Sequence, residues 1–404
     1  MKRRVVVTGL GVVSSIGIGW RPFWDSLLAG RSGIRKIRYL DTSEYPTQYG
    51  GEVVDFDPRQ FMPEAVARRL GRGSQFAIAA TAMALEDAKL ADSEAREKLR
   101  IGICLGTTMA DIQALETIND AWVTYGEKKI PTPLVTRYPS CTMSANVAAH
   151  LNLTGPNLMI PTACSAGNYA IGYAMDLLRT GRADAMIAGG ADPFSRIAFT
   201  GFNRLFALAP ERCQPFDRNR QGTMIGEGAG TLLLERFESA RARGATIYAE
   251  VLGYGLSCDG SHMTIPEVDG VTRVMRKALQ DSGIEPEDVD YISAHGTGTP
   301  ANDRTECSAI RSVLGSHTDH TPVSSIKSML GHTMGAASAL EAIACVLACQ
   351  LDRIPPTVNH EEDDPECSID CVPNDSRNHK TRIALNNSFA FGGNNACLVT
   401  AKCS

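Results

Sequence analysis

Apolar and polar positions follow two rhythms along this chain. Short runs of Val, Ile, Leu, Ala and Gly occur at 4–9, 101–106, 158–162, 185–190, 231–234 and 248–253, then at 291–294, 323–326, 383–386 and 396–400. Unbroken apolar runs of this length predict short buried strands. Between several of them, at 74–90, 166–178, 271–282, 303–314 and 335–351, apolar residues return every three or four positions. That period predicts helices, the first with Ser74 as its N-cap. Strands alternating with helices predict an α/β protein containing parallel sheets.

The pattern runs through the chain twice. Thr162-Ala163-Cys164-Ser165-Ala166-Gly167 opens one small-residue helix, and Leu330-Gly331-His332-Thr333-Met334-Gly335-Ala336-Ala337 opens another. Side chains this small permit close backbone approach, so the expectation is two related halves, 1–245 and 246–404, with these helices packed side by side. Two unrelated helices are the alternative. No Pro/Ser linker, low-complexity tract or long charge run divides the chain, which predicts one compact body.

Composition narrows the function classes. With 404 residues, 43% hydrophobic and 21% charged, the chain has ordinary globular composition. Its 40 Lys and Arg against 45 Asp and Glu give a net charge of −5, so no global field attracts nucleic acid or an anionic membrane. The 12 Cys lie singly, and the start MKRRVVVTGLGVV lacks signal-peptide architecture. Reduced thiols in a cytoplasm are therefore expected. Residues 138–175 contain no Asp, Glu, Lys or Arg, yet Pro139, Asn146, His150, Asn152, Pro156 and Pro161 rule out a membrane span. Burial in a core, a subunit interface or both is predicted instead.

Four stretches carry reactive side chains. Cys164 follows the strand at 158–162 and stands where a helix begins. Unpaired N–H groups and the helix dipole there stabilise a thiolate and lower its pKa, which makes Cys164 a candidate nucleophile. Read alone, it is equally a small buried hydrophobe. His295 sits among glycines and hydroxyls just past a strand, a place suited to acid–base work, although an isolated turn His is commonly solvated. Lys327 precedes a second imidazole, His332, and Glu341 follows in an Ala-rich helix where a carboxylate needs a partner, either Lys327 or a histidine. The fourth stretch, Asn387-Ser388-Phe389-Ala390-Phe391-Gly392-Gly393-Asn394-Asn395, is a glycine-rich loop that either presents N–H groups to an oxyanion or merely joins two strands. Cys345/Cys349 and Cys367/Cys371 lack partners for a zinc site, and Gly226-Glu227-Gly228-Ala229-Gly230 lacks the phosphate-loop and dinucleotide spacings. Neither a metal nor a cofactor is expected.

Taken in order, TACSAG at 162–167, HGTGTPANDRTE at 295–306, KSMLGH at 327–332 and NSFAFGGNN at 387–395 resemble the elongating β-ketoacyl-acyl-carrier-protein synthases. This family comprises fatty-acid condensing enzymes and type II polyketide ketosynthases, and the likeness runs from VVVTGLG to the last strand. The resemblance implies a thiolase-like fold, with duplicated halves in a five-layer αβαβα sandwich, and a dimer, either of identical chains or with a homologous chain-length-factor subunit. It implies Cys164 as the acyl-accepting nucleophile and His295 with His332 as the pair promoting decarboxylation of a malonyl thioester. Lys327 and Glu341 would be the supporting ion pair, with the N–H groups of Cys164 and Phe391 as the oxyanion hole. Thr297 and Thr299 would bind the phosphopantetheine arm of acyl carrier protein, so no separate cofactor is needed. Met109 and Asp111 fall beside the acyl pocket, Ala390 and Gly392 in the gate, and Arg68, Arg69, Arg72, Lys128 and Lys129 at positions for docking the acidic carrier protein.

The pattern also departs from the family. Ala390 stands where Gly is usual, Asn394 where Thr is usual and Thr223 where an aromatic is common, and the segment 206–213 is short. These differences favour a specialised polyketide, polyene or fatty-acid pathway over bulk fatty-acid elongation. A non-catalytic chain-length-factor-like subunit is the rival from another class, and Cys164 with both histidines argues against it.

Overall fold

The computed structural model describes residues 3–403; Met1, Lys2 and Ser404 lie outside the described residues. Ten strands make one path of paired neighbours: β1 Val5–Ser14, β2 Ile101–Gly106, β3 Asn157–Ile160, β4 Ala185–Asp192, β5 Gly228–Arg236, β6 Ala249–Cys258, β7 Tyr291–Ser293, β8 Val323–Ser324, β9 Ile383–Phe389 and β10 Asn394–Ala401. Their order is β8-β7-β9-β10-β6-β1-β5-β4-β2-β3. Counted within each set of five, the order is third, second, fourth, fifth, first in both. In both, the fifth strand is antiparallel to its neighbours and the second, third and fourth run parallel. The sets join where Val5, Val6 and Val7 of β1 pair with Val251, Glu250 and Ala249 of β6.

The longer helices are α1 Trp20–Leu28, α2 Arg72–Asp87, α3 Ile112–Tyr125, α4 Cys141–Leu151, α5 Ala166–Arg179, α6 Arg196–Arg204, α7 Val268–Ser282, α8 Pro300–Leu314 and α9 Ala337–Leu351. Helices α2 and α4 cover the outer face of β1–β5, while α7 and α8 cover that of β6–β10. Between the two sheets lie α5 and α9, in contact with each other and with strands of both sets. The result is five layers, a thiolase-like αβαβα sandwich.

Position in the middle layer explains composition. Every residue of α9 from Ala337 to Cys349 is buried, so the helix is apolar all round. By length and composition, Met334–Leu351 is apolar enough to cross a membrane, but 89% of it is buried inside this fold. Its partner α5 approaches so closely that a Cβ on Gly167 would stand 2.6 Å from the Ala339 nitrogen.

One expectation needs correction. Ser74 does not cap α2, which begins at Arg72 after Gly71 without a side-chain cap. Asp111, distant in sequence, instead accepts from both the backbone N–H and the hydroxyl of Ser74, taking up donors that the first helical turn leaves free. The uncharged stretch 138–175 divides between the core and the surface of the single chain. Within it, α5 is core, but β3 is the outermost strand of its half and its Asn157 and Leu158 are exposed.

The close approach of α5 and α9 yields the first prediction. Gly167→Ala adds a methyl group against the Ser338–Ala339 backbone, and overpacking of this kind costs about 1–3 kcal/mol. This outweighs a helix-propensity gain of about 1 kcal/mol for Gly to Ala. A lower urea midpoint is expected, and an unchanged midpoint would show that the middle layer has slack.

Candidate active site

Cys164 lies in the 3-10 turn Ala163–Ser165 that leads into α5. The turn places Ala163 at φ +52°, a conformation costing a non-glycine residue about 1–3 kcal/mol unless its surroundings impose it. They do: the Cys164 carbonyl accepts from Ser338 Oγ of α9 at 3.1 Å and from Ser388 Oγ of β9 at 3.0 Å. Cys164 borders a cavity and is 5% exposed. Burial pushes its thiol up to about 12, opposed by the charge of Lys327. The lowering expected at a helix start is thus opposed by removal from water.

His295 follows β7 in a loop held from behind by α8. The backbone N–H groups of His295 and Gly296 donate to the two oxygens of Glu306 at 2.9 and 2.8 Å. Asp303, one turn earlier, accepts from Gly298 and Phe216. Sequence reasoning assigned neither carboxylate a role. Their signal was the spacing of three, which puts both on one helix face directly behind HGTGTP. Burial pushes Glu306 up to about 7 while the two N–H donors hold it down.

The choice left open for Glu341 resolves in favour of Lys327, whose ammonium donates to the Glu341 carboxylate and, at 2.6 Å, to the His295 carbonyl. The pair is buried, with both side chains 1% exposed. His332 is fixed by backbone bonds from its N–H to the Met224 carbonyl and from the Gly226 N–H to its own carbonyl. The N–H of Met334 donates to His332 Nδ1 at 3.1 Å. With Nδ1 accepting, the neutral ring carries its proton on Nε2.

The two imidazoles stand nearly perpendicular, 84° apart with centroids at 5.6 Å. Burial, then the Lys327 charge, pushes both well below the ordinary histidine value. They are neutral N–H donors, suited to stabilising negative charge in a buried cavity.

The same cavity is lined by Thr297, Thr299, Ala390 and Phe391, with the two hydroxyls 2.9 Å apart. Phe391 stacks on Phe202 of α6 at 5.3 Å. In its loop, the N–H groups of Ala390, Gly392 and Gly393 bond to carbonyls of Asn394, Met263 and Ala390. That of Phe391 has no partner among the described residues. Ala390 is not among the left-handed residues, whereas Gly392 and Gly393 take φ +84° and +75°. The hinge freedom therefore sits after Phe391.

Three further candidate residues make contacts outside the Cys164–His295–His332 group. Met109 packs into the cluster of Phe194, Phe199 and Met334 together with Phe202, itself a lining residue of the cavity, and its N–H donates to Asp192. Asp111 is committed to Ser74, as described. Arg72 reaches inward to Glu227 and the Val53 carbonyl and lies over the Phe76 ring. Arg68 and Arg69 are exposed, Arg68 pairing with Glu64, and Lys128 and Lys129 are exposed in the turn Glu127–Lys129. Arg137, which was not anticipated, donates to the Arg68 carbonyl and adds a cation to that patch.

The depressed histidines make a signed prediction. Each is neutral above its pKa, so ring titration followed by NMR should show both uncharged at pH 6.5 and charging only on further acidification. Lys327→Met removes a positive neighbour and should move both titrations upward. Unmoved histidines would mean that burial alone depresses them.

Residues 2–240 match the family described as "Beta-ketoacyl synthase, N-terminal domain" and residues 248–361 match "Beta-ketoacyl synthase, C-terminal domain". A Synechocystis protein named 3-oxoacyl-[acyl-carrier-protein] synthase 2 is 42% identical over 99% of this chain and 98% of its own length. A Coxiella burnetii protein of the same name is 42% identical, covering 99% of each chain. Among solved structures, the ishigamide ketosynthase/chain length factor superposes with a TM-score of 0.95 at 45% identity over 100% of both chains. A type II polyketide ketosynthase in complex with its acyl-carrier protein gives 0.92 at 33% identity, again over 100% of both. Likeness of this extent, carried by both sets of strands and by the cavity between them, makes the chain a member of the β-ketoacyl synthase family.

Proposed function

We propose that Cys164, His295 and His332 carry out the family's decarboxylative condensation. The observation behind the proposal is their convergence on one cavity from β3–α5, β7–α8 and β8–α9. In the first step, the Cys164 sulfur attacks an acyl thioester. Its proton passes to the departing phosphopantetheine thiolate, and the acyl group remains on sulfur. In the second, a malonyl thioester loses carbon dioxide, and the electron pair of the broken C–C bond moves into an enolate whose oxygen receives N–H from both imidazoles. The enolate carbon then attacks the acyl carbonyl. The N–H groups of Cys164 and Phe391 hold the resulting oxyanion, and Cys164 leaves as thiolate to recover a proton.

Lys327 and Glu341 support the histidines, and Thr297 with Thr299 bind the phosphopantetheine arm. Acyl carrier protein docks on Arg68, Arg69 and Arg137 with Lys128 and Lys129. The open edge of β3, with exposed Leu158, suits a dimer with the same or a homologous subunit. The halves 1–245 and 246–404 are read as the duplicated units. A cytoplasmic setting agrees with twelve free cysteines. Thr223 in the cavity wall and Ala390 in the gate favour a specialised polyketide or polyene pathway, housekeeping fatty-acid elongation being the second reading.

Mass spectrometry after incubation with acyl-carrier-protein thioester tests the mechanism. Cys164→Ala should lose self-acylation while staying folded. His295→Ala and His332→Ala should keep acylation but lose decarboxylation by about 10²–10³-fold, the usual cost of one oxyanion donor. Normal condensation by any of the three would refute that residue's role.

Charge reversal at Arg68 and Arg69 tests the docking patch. Carrier-protein binding should weaken at low salt and depend less on ionic strength. Equal affinity for variant and parent at low salt would move docking elsewhere.

A further inference from the structure

Asp192, the last residue of β4, is absent from the mechanism above, yet no carboxylate near the cavity has more donors directed at it. Its Oδ1 accepts from Thr107 Oγ1 at 2.6 Å and from the N–H groups of Met109 and Ala110, both at 3.1 Å. Its Oδ2 accepts from the N–H of Thr108 at 2.6 Å and of Gly335 at 2.7 Å. Four of these donors belong to the loop after β2, in the first set of strands. The fifth, Gly335, stands three residues beyond His332. The side chain is 1% exposed.

The Gly335 bond bears directly on His332. Met334 is left-handed at φ +55°, a strained state for a residue with a Cβ, and it is the Met334 N–H that donates to His332 Nδ1. Asp192 pins the next peptide. Release of that peptide frees Met334 to relax toward an ordinary φ, which swings its N–H away from Nδ1. The imidazole then loses the bond that keeps its proton on Nε2, the nitrogen needed to donate toward substrate. The carboxylate also fixes Ala110, left-handed at φ +51°, and Met109, which shares an apolar cluster with Met334 and Phe202. Phe202 in turn contacts both His332 and Phe391.

We propose that Asp192 is a positioning residue for the condensation, setting the tautomer and orientation of His332 through Gly335 and Met334 and locking them to the 107–110 loop. The inference rests on the role given to His332 above.

Asp192→Asn provides the test. An amide offers one oxygen, and that oxygen belongs with the three donors on the Oδ1 side. The NH2 is then left facing the N–H groups of Gly335 and Thr108. Self-acylation of Cys164 should stay within about threefold of the parent, while decarboxylation of malonyl-carrier protein falls about tenfold or more in kcat with little change in KM. In 15N-histidine spectra the Nε2–H signature of His332 should give way to a mixture of tautomers. Thr107→Val removes a donor from the other oxygen and leaves the Gly335 bond, so it should keep the parent tautomer and decarboxylate within about threefold. Equal losses in both half-reactions, an unchanged His332 signature in Asp192→Asn, or the same pattern in Thr107→Val would overturn the inference. If Asp192→Asn does not fold, Asp192→Glu decides: its displaced carboxylate must slow decarboxylation more than acylation, and equal or absent effects refute the role. His332→Ala serves as the control. Retained decarboxylation there would refute the reading of His332 itself, whereas its loss there alongside normal Asp192→Asn would refute this inference alone.

Discussion

The catalytic centre depends on how closely α5 and α9 approach. Cys164 stands one residue beyond the start of its turn into α5, and His332 just before the turn into α9, so the distance between these helices sets the distance between nucleophile and imidazole. Only small residues permit it. A Cβ on Gly167 would meet Ala339, one on Gly190 would stand 2.3 Å from the Gly335 carbonyl, and one on Gly335 would collide with the Thr107 backbone. The two sheets then close on the pair from either side, and the cavity forms where strands, turns and both helices meet. A smaller separation would fill the cavity, and a larger one would leave sulfur and enolate out of reach.

Such a centre is buried, and burial has an electrostatic consequence. A carboxylate taken out of water is costly unless donors replace its hydration shell. Around this cavity each buried carboxylate has acquired that shell from groups that also need positioning. Glu306 holds the His295 loop, Glu341 holds the ammonium that reaches the His295 carbonyl, and Asp192 holds two turns at once. The burial that pushes the histidines down and the Cys164 thiol up thus accompanies the network that fixes them. Burial disfavours the charged form of all three groups, while the Lys327 charge further disfavours imidazolium and favours thiolate.

Much of this was legible in the sequence because it is local. Each strand and helix that the apolar rhythm indicated is present, since strands buried on both faces and helices in a middle layer leave strong patterns over short windows. The reactive residues sit at strand-to-helix turns, again a local signal. What the sequence hid depends on groups far apart along the chain. The donors at the start of α2 are taken up by Asp111, the partner of Arg72 is Glu227, and the Met109 N–H is held by Asp192. Asp303 and Glu306 lay in plain view within HGTGTPANDRTE, but nothing local indicates that a carboxylate on a helix will turn back to hold the loop before it. The upward push on the Cys164 thiol was hidden for a related reason: a helix terminus can be read from sequence, but the extent of burial cannot.

The duplication makes one further comparison possible. Thr162-Ala163-Cys164 and Thr333-Met334-Gly335 occupy equivalent places before α5 and α9, each after the third strand of its set, and in each the middle residue is left-handed, at φ +52° and +55°. A strained residue of the same kind at both positions argues that the strain belongs to the turn itself, which must reverse sharply to start a helix in the crowded middle layer. What differs is the residue that follows. In the first half it is Cys164, whose side chain enters the cavity and whose carbonyl is held by Ser338 and Ser388. In the second it is Gly335, where any side chain would strike the Thr107 backbone and whose N–H is held by Asp192. One copy of the turn thus carries the proposed nucleophile and the other the peptide proposed to position His332, and each is anchored by a group from the opposite half. Neither half could assemble this site alone, which explains why two copies of one unit form a single body rather than two independent domains.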